Sequence, residues 1–344
     1  MKETVAELGE FGIIERLRDL IVSTQGSTSS VSLGIGDDCA VISPPEGHDL
    51  LMTCDSLVEG RHYIPELISS HDLGRRAMVQ NISDIGAMGG YPIHALVSLG
   101  LKADAPVSLV EEMYRGFLSE LLPLCASIVG GNITSVATEP FIDITLVGAV
   151  SRGKAVSRIG ARPGDSILVT GFPGEAGAGL RLLKENRTGG ASFSELESAY
   201  LRPEHRAREG RAVAEPGYAS AMIDTSDGLA ADLGHLCSAS GVGARLYARR
   251  LPVRSQLRDA SALLGRSPLD LVFGESDDYE LVITCPAELS KRAISVISGV
   301  SGAAVSEIGT VTSDTGRMVL ETDGGEQVIQ AAGWDHFRSV ETGP

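Results

Sequence analysis

The chain has 344 residues, with 45 acidic against 29 basic side chains and a formal net charge of -16 at neutral pH. That balance excludes a nonspecific nucleic-acid surface, whose affinity rests on clustered Lys and Arg, and it means that phosphate ligands would be held through divalent cations, which prefer carboxylates. The length is that of two α/β domains, and 43% hydrophobic residues in short runs suffice to bury their cores.

The opening stretch, MKETVAELGEFGII, has no charged-then-apolar signal pattern, and no run approaches the roughly 20 apolar residues of a membrane span, so a cytoplasmic location is expected. LLMT, from Leu50, reads as a short strand. HDLGRRAMVQNISDIGAMGG, from His71, reads as a helix, because Leu73, Ala77, Met78, Ile82, Ile85 and Met88 recur every three or four residues before Gly89-Gly90 and Pro92 end it. HALVSLGL is strand-like, SLVEEMYRGFLSELLPLCAS is a second helix, and FIDITLVGAV alternates like a half-buried strand.

The turn-rich segment SRGKAVSRIGARPGD marks the expected domain boundary, giving domains over 1–150 and 151–344, with fresh strand signal in SILVTG just beyond. RLLKENRTGGAS reads as a solvated loop. AMI, DTSDG and LAADLGHLCSAS, closed by Gly241, read as strand, acidic loop and capped helix, and ELVITC as a buried strand. The five cysteines, Cys39, Cys54, Cys125, Cys237 and Cys285, are scattered and form no Cys-x-x-Cys pair, so reduced thiols are expected in place of disulfides or a zinc site.

The informative feature is Asp at strand ends and loop tips: Asp37-Asp38, Asp55, Asp224 and Asp227, and Asp277-Asp278. Any one alone is ordinary turn chemistry. Several together, in an architecture that gathers ligands at strand carboxyl ends, point to cations. Asp84 differs in kind, because with Asn81 it interrupts an apolar helical run, where an acid is costly unless it meets a cation or hydrogen-bond donors. Two phosphate-loop lookalikes fail. Gly148 to Lys154 is followed by Ala155 where a hydroxyl is needed, and VTGFPGEAGAGL lacks the spaced glycine triplet, so strand-to-helix packing explains its glycines. No nucleophile elbow or His metal spacing is present. His62, in the loop that follows Asp55, is the one histidine kept as a contact for an anionic acceptor, although an isolated histidine is more often structural.

In order, GEFGII, GIGDDCAV, TCDSLVEGRHY, QNISDIGAMGGYP, IVGGNIT, GKAVSRIGARPGD, IDTSDGLAADLGH, DDYEL and GWDHF resemble the thiamine-monophosphate kinase family over nearly the whole chain. The resemblance implies two α/β domains, the first with a four-stranded sheet that forms a barrel across a homodimer, and ATP in the cleft between domains. It places Asp38, Thr53, Cys54, Asp55, Asp84, Asn132, Asp224 and Asp227 on magnesium positions. Asp38, Tyr114, Gly131, Asn132, Arg158 and Ser226 fall on ATP positions, and His62, Asp277 and Trp334 on the acceptor side. The implied reaction is in-line transfer of the γ-phosphoryl group of ATP to thiamine monophosphate with several Mg²⁺ ions and no protein nucleophile, which agrees with what the carboxylates offer. The chain departs from the family pattern in two motifs: Asn132 stands where Asp is usual, and Ser276-Asp277 where Gly-Glu is usual. They leave open another small acceptor, or a noncatalytic nucleotide-binding paralogue.

Overall fold

The computed structural model describes residues 3–26, 29–187 and 193–330, and the chain divides into two compact units, Met1–Ala155 and Val156–Pro344. The first unit runs α1 (Val5–Gln25), β1 (Val31–Leu33), β2 (Val41–Ile42), β3 (His48–Val58), α2 (Ser70–Ala87), β4 (Tyr91–Leu101), α3 (Val107–Leu121), β5 (Ser127–Ser135) and β6 (Phe141–Ser151). Its sheet is open, in the order β3-β6-β4-β5, with β4 and β5 parallel and the other pairs antiparallel; β1 and β2 form a separate small ribbon.

Helix α2 begins where Ser69 accepts from the Asp72 amide at 3.1 Å and ends as Gly89 takes a positive φ. Its apolar positions are the expected ones, and Met78 and Ile82 are fully buried alongside Phe117 of α3. Burying each such side chain contributes roughly 1.5–3 kcal/mol. Strand side chains alternate between faces, so Leu51 and Leu57 of β3, Ile142, Ile144 and Leu146 of β6, and Ala95, Val97 and Leu99 of β4 are buried, whereas Leu50, Met52 and Leu96 stay exposed.

The second unit runs β7 (Ser166–Thr170), α4 (Glu175–Lys184), α5 (Ser194–Leu201), α6 (Ala207–Ala214), β8 (Ala221–Asp224), α7 (Leu229–Ser240), β9 (Gly243–Tyr247), α8 (Ser255–Leu263), α9 (Pro268–Val272), β10 (Leu281–Cys285), α10 (Ser290–Ser301), β11 (Val305–Thr312), β12 (Met318–Thr322) and β13 (Gly325–Ile329). Its seven strands lie in the order β13-β12-β9-β11-β7-β10-β8. Strands β7, β8 and β10 are buried along their whole length, which is why they read as continuous apolar runs.

One expectation is corrected here. Arg181–Lys184, read as the start of a solvated loop, form the last turn of α4, because Leu182 is fully buried and keeps that turn against the core. The glycines of VTGFPGEAGAGL serve packing as expected: a Cβ at Gly179 would stand 1.9 Å from the Leu196 carbonyl oxygen. The strand leaving Gly148 likewise ends at Ser151 in a turn and not in a phosphate loop.

Candidate active site

The two units carry separate groups of candidate residues. In the first, β3 splits its own motif by alternation. Thr53 and Asp55 point to the helix side of the sheet and Cys54 to the opposite side. On the helix side the Thr53 hydroxyl donates to the Asp84 carboxylate, so the acid inside the apolar run of α2 meets a donor. Burial, reinforced by the neighbouring negative charge of Asp84, pushes the Asp55 carboxyl up to about 7. Gln80, one turn before Asp84, opposes this by hydrogen bonding to Asp55. Asn81 is buried and donates to the Ala77 carbonyl at 3.1 Å, a bond within its own helix.

On the other side of the sheet a cavity of about 990 Å³ is lined by Asp38, Tyr114, Gly131 and Asn132, together with Ser98, Asp143 and Thr145. Asn132 stands on β5 across from Ser98 of β4. Gly131 is required beside it, since a Cβ there would lie 1.9 Å from the Val97 carbonyl oxygen. Tyr114 is buried edge-on against Phe117, with ring centroids 5.2 Å apart, and that burial raises its phenol. Cys54 reaches Asp143 at 3.4 Å. Asp143 was not singled out from the sequence, although an acid on the outward register of FIDITLV was the available signal. His62 Nδ1 accepts from the Val58 amide at 3.0 Å, which leaves Nε2 to carry the proton of the neutral ring.

In the second unit Asp224 ends β8 and is buried, and the loop through Thr225, Ser226, Asp227 and Gly228 leads into α7. Thr225 joins this loop to the segment that carries Asp277: its amide donates to the Glu280 carbonyl, its carbonyl accepts from the Tyr279 amide, each at 2.8 Å, and its hydroxyl accepts from the Glu280 amide at 3.1 Å. The loop that carries Asp224 and Asp227 is thus joined at Thr225 to the segment that carries Asp277. Asp278 accepts from the Gly174 and Ala176 amides at 2.7 and 3.0 Å, and burial pushes its carboxyl up to about 7.

Glu280 is held by a two-pronged ion pair with Arg206, at 2.7 and 2.8 Å. Arg158 lies exposed on a loop whose Ser157 carbonyl pairs with the Met222 amide of β8 at 3.1 Å. That loop is tied to the end of α7 by Ser240, whose hydroxyl accepts from Gly160 and Ala161 and donates to the Arg158 carbonyl. Trp334 lies outside the described residues.

Asp232, in the first turn of α7, was also missed. Its carboxylate accepts from three loop amides, and burial, with Asp224 and Asp227 close by, pushes it up to about 8. An acid inside the apolar run LAADLGHL was the same signal that singled out Asp84. Among the described residues, no group of three or more His, Cys, Asp or Glu side chains is arranged to hold a metal ion. Carboxylates in pairs nonetheless suit magnesium, which takes one or two of them and completes its octahedron with water and substrate phosphates. The raised Asp55 marks a pair whose repulsion a divalent cation would relieve.

The two mixed α/β units fall into one class: residues 36–150 match the N-terminal domain, and 162–321 the C-terminal domain, of AIR synthase related proteins. Thiamine-monophosphate kinase of Escherichia coli O157:H7 is 35% identical over 332 residues, 96% of this chain and 98% of the relative. The crystal structure of thiamine-monophosphate kinase from Stenotrophomonas maltophilia K279a superimposes with a TM-score of 0.80 at 31% identity, over 92% of this chain and 97% of its own. AaThiL complexed with AMPPCP and TMP does so with 0.75 at 34%, over 98% and 100%. The chain belongs to the thiamine-monophosphate kinase family.

Proposed function

We propose that the protein phosphorylates thiamine monophosphate, transferring the γ-phosphoryl group of ATP to give thiamine diphosphate and ADP, in thiamine diphosphate biosynthesis. Family membership supports the reaction, and AMPPCP and TMP bound to AaThiL support the two substrates. The pairing of Asp55 with Asp84 carries the site assignment, because these are hard oxygen donors held side by side.

Asp38, Asp55, Asp84 and Asn132 of the first unit, with Asp224 and Asp227 of the second, are the residues that would hold magnesium; Thr53 orients Asp84, and Cys54 lies beside Asp55. When bound, Mg²⁺ neutralises phosphate charge and lets two anions approach. Tyr114, Gly131, Asn132, Ser226 and Arg158 would receive ATP, the last offering a planar fork of donors to phosphate oxygens. His62, Asp277 and Trp334 would make up the acceptor side. The attacking atom is a phosphate oxygen of the acceptor, so no side chain acts as a nucleophile.

The working form is proposed to be a cytoplasmic homodimer, with the outer face of the open sheet paired against a second copy to close a barrel. Leu50, Met52 and Leu96 on that face are 47%, 71% and 42% exposed, which an isolated sheet would leave in water. A monomeric mass at micromolar concentration overturns this. Purified protein given ATP, Mg²⁺ and a panel of small acceptors tests the reaction. ADP release with thiamine monophosphate alone supports the proposal, and release only with another acceptor, or nucleotide binding with no release at all, overturns it.

A further inference from the structure

We infer that Asp232 is a positioning residue, whose side-chain oxygen holds the loop carrying Asp224, Ser226 and Asp227 in the form that takes up a divalent cation. The inference rests on the magnesium role proposed above for Asp224 and Asp227.

One atom, Oδ2 of Asp232, accepts from the successive amides of Ser226, Asp227 and Gly228, each at 3.1 Å. The Asp232 amide returns to the Gly228 carbonyl, also at 3.1 Å, so the loop closes on the first turn of α7 from both directions. Three consecutive amides converging on one point at a helix start form an anion-binding concavity, and here the chain's own oxygen fills it. The three loop amides are thereby spent on Asp232, and the backbone that carries Asp227 is fixed by them.

The loop does not hold this shape by local preference. Gly228 has φ +110°, and a Cβ there would stand 2.1 Å from the Gly274 carbonyl oxygen, so the turn depends on glycine and on its outside anchor. Asp232 is 2% exposed, which keeps water from replacing its bonds. It also adds a third carboxyl beside Asp224 and Asp227, an arrangement that adds repulsion and is retained with the three bonds it makes. Moving that oxygen would let Asp227 swing away from Asp224 while the helix itself persists.

Position and charge are separated by two substitutions. Asp232→Asn keeps an oxygen acceptor in place without the charge, and Asp232→Glu keeps the charge but displaces the oxygen by one methylene. The full chain and each variant are titrated with Mn²⁺ and free ion is followed by electron paramagnetic resonance, with a melting curve for each to establish folding. Asp232→Asn should bind Mn²⁺ within about threefold of the parent and Asp232→Glu about tenfold or more weakly, the size of effect expected when a group that orients a metal ligand is moved.

Where Asp232→Glu does not fold, Asp232→Ala is read in its place, with the same expectation. Parent-like binding by both variants overturns the inference. So does loss in Asp232→Asn, with or without loss in Asp232→Glu, because charge and not position would then govern binding. A parent that binds no Mn²⁺ removes the inference together with the magnesium role. The titration needs no turnover, so a failure of the kinase reading would appear separately, as a parent that binds Mn²⁺ but releases no ADP with thiamine monophosphate.

Discussion

The Thr53 hydroxyl on β3 donates to the Asp84 carboxylate on α2, joining strand and helix beside Asp55. Asp84→Asn keeps an oxygen for this bond and removes one of two repelling charges. It should therefore fold and melt no lower than the parent without magnesium, yet lose roughly a hundredfold or more in turnover, since a charge that binds a metal is worth several kcal/mol. Melting curves with and without Mg²⁺, beside rates at limiting Mg²⁺, check both halves; near-parent turnover refutes the assignment.

Asn132 lines the cavity that also contains Asp38, and it brings a neutral carbonyl where a carboxylate would hold a cation more tightly. Asn132→Asp should lower the Mg²⁺ concentration for half-maximal rate several-fold without creating activity from nothing. A magnesium titration that superimposes on the parent would show that this side chain does not face a metal.

Ser240 fixes the backbone on either side of Ile159, with bonds of 3.1 and 3.2 Å from the Gly160 and Ala161 amides and one of 2.9 Å to the Arg158 carbonyl. Ser240→Ala releases the loop that aims Arg158. The KM for ATP should rise about tenfold, at about 1 kcal/mol per lost bond and partial replacement by water, while the KM for thiamine monophosphate changes little. A lower melting temperature with an unchanged KM for ATP would restrict Ser240 to stability.

His94 is buried between Ser127, 2.9 Å from Nδ1, and Ser30, 3.3 Å from Nε2, and burial lowers its pKa. The folded protein then binds fewer protons here than the unfolded chain, whose His titrates near 6.5. This contribution to stability is constant above about pH 6.5 and is lost progressively as pH falls below it. Denaturant midpoints at pH 7.5 and 5.5 should drop for the parent, and the drop should shrink in His94→Gln. Equal slopes for the two proteins would show that another group titrates.

Local signals in the sequence determined the elements that have strong periodicity. The helix around Asp84 and the one closed by Gly241, whose φ is +67°, were legible because spacing and caps are properties of neighbouring residues. So was the recurrence of acids at strand ends. The Thr4-to-Glu7 capping box at the start of α1 is equally local, but Gly9 takes a non-helical conformation inside that helix. Arg181–Lys184 looked solvated because composition there is polar, and only the burial of Leu182 against the core decides the matter.

Which acids meet was decided by tertiary structure alone. Alternation along β3 separates Cys54 from Asp55, but no spacing says which of them turns toward α2; that follows from where the apolar Leu51 and Leu57 are buried. Asp55 and Asp84 are 29 residues apart, and what joins them is the packing of a helix on a sheet. Asp232 shows the limit most plainly. Its identity and its helix were readable, but its three partners are backbone amides, which every residue except proline carries, and only the folded loop aims them at one oxygen.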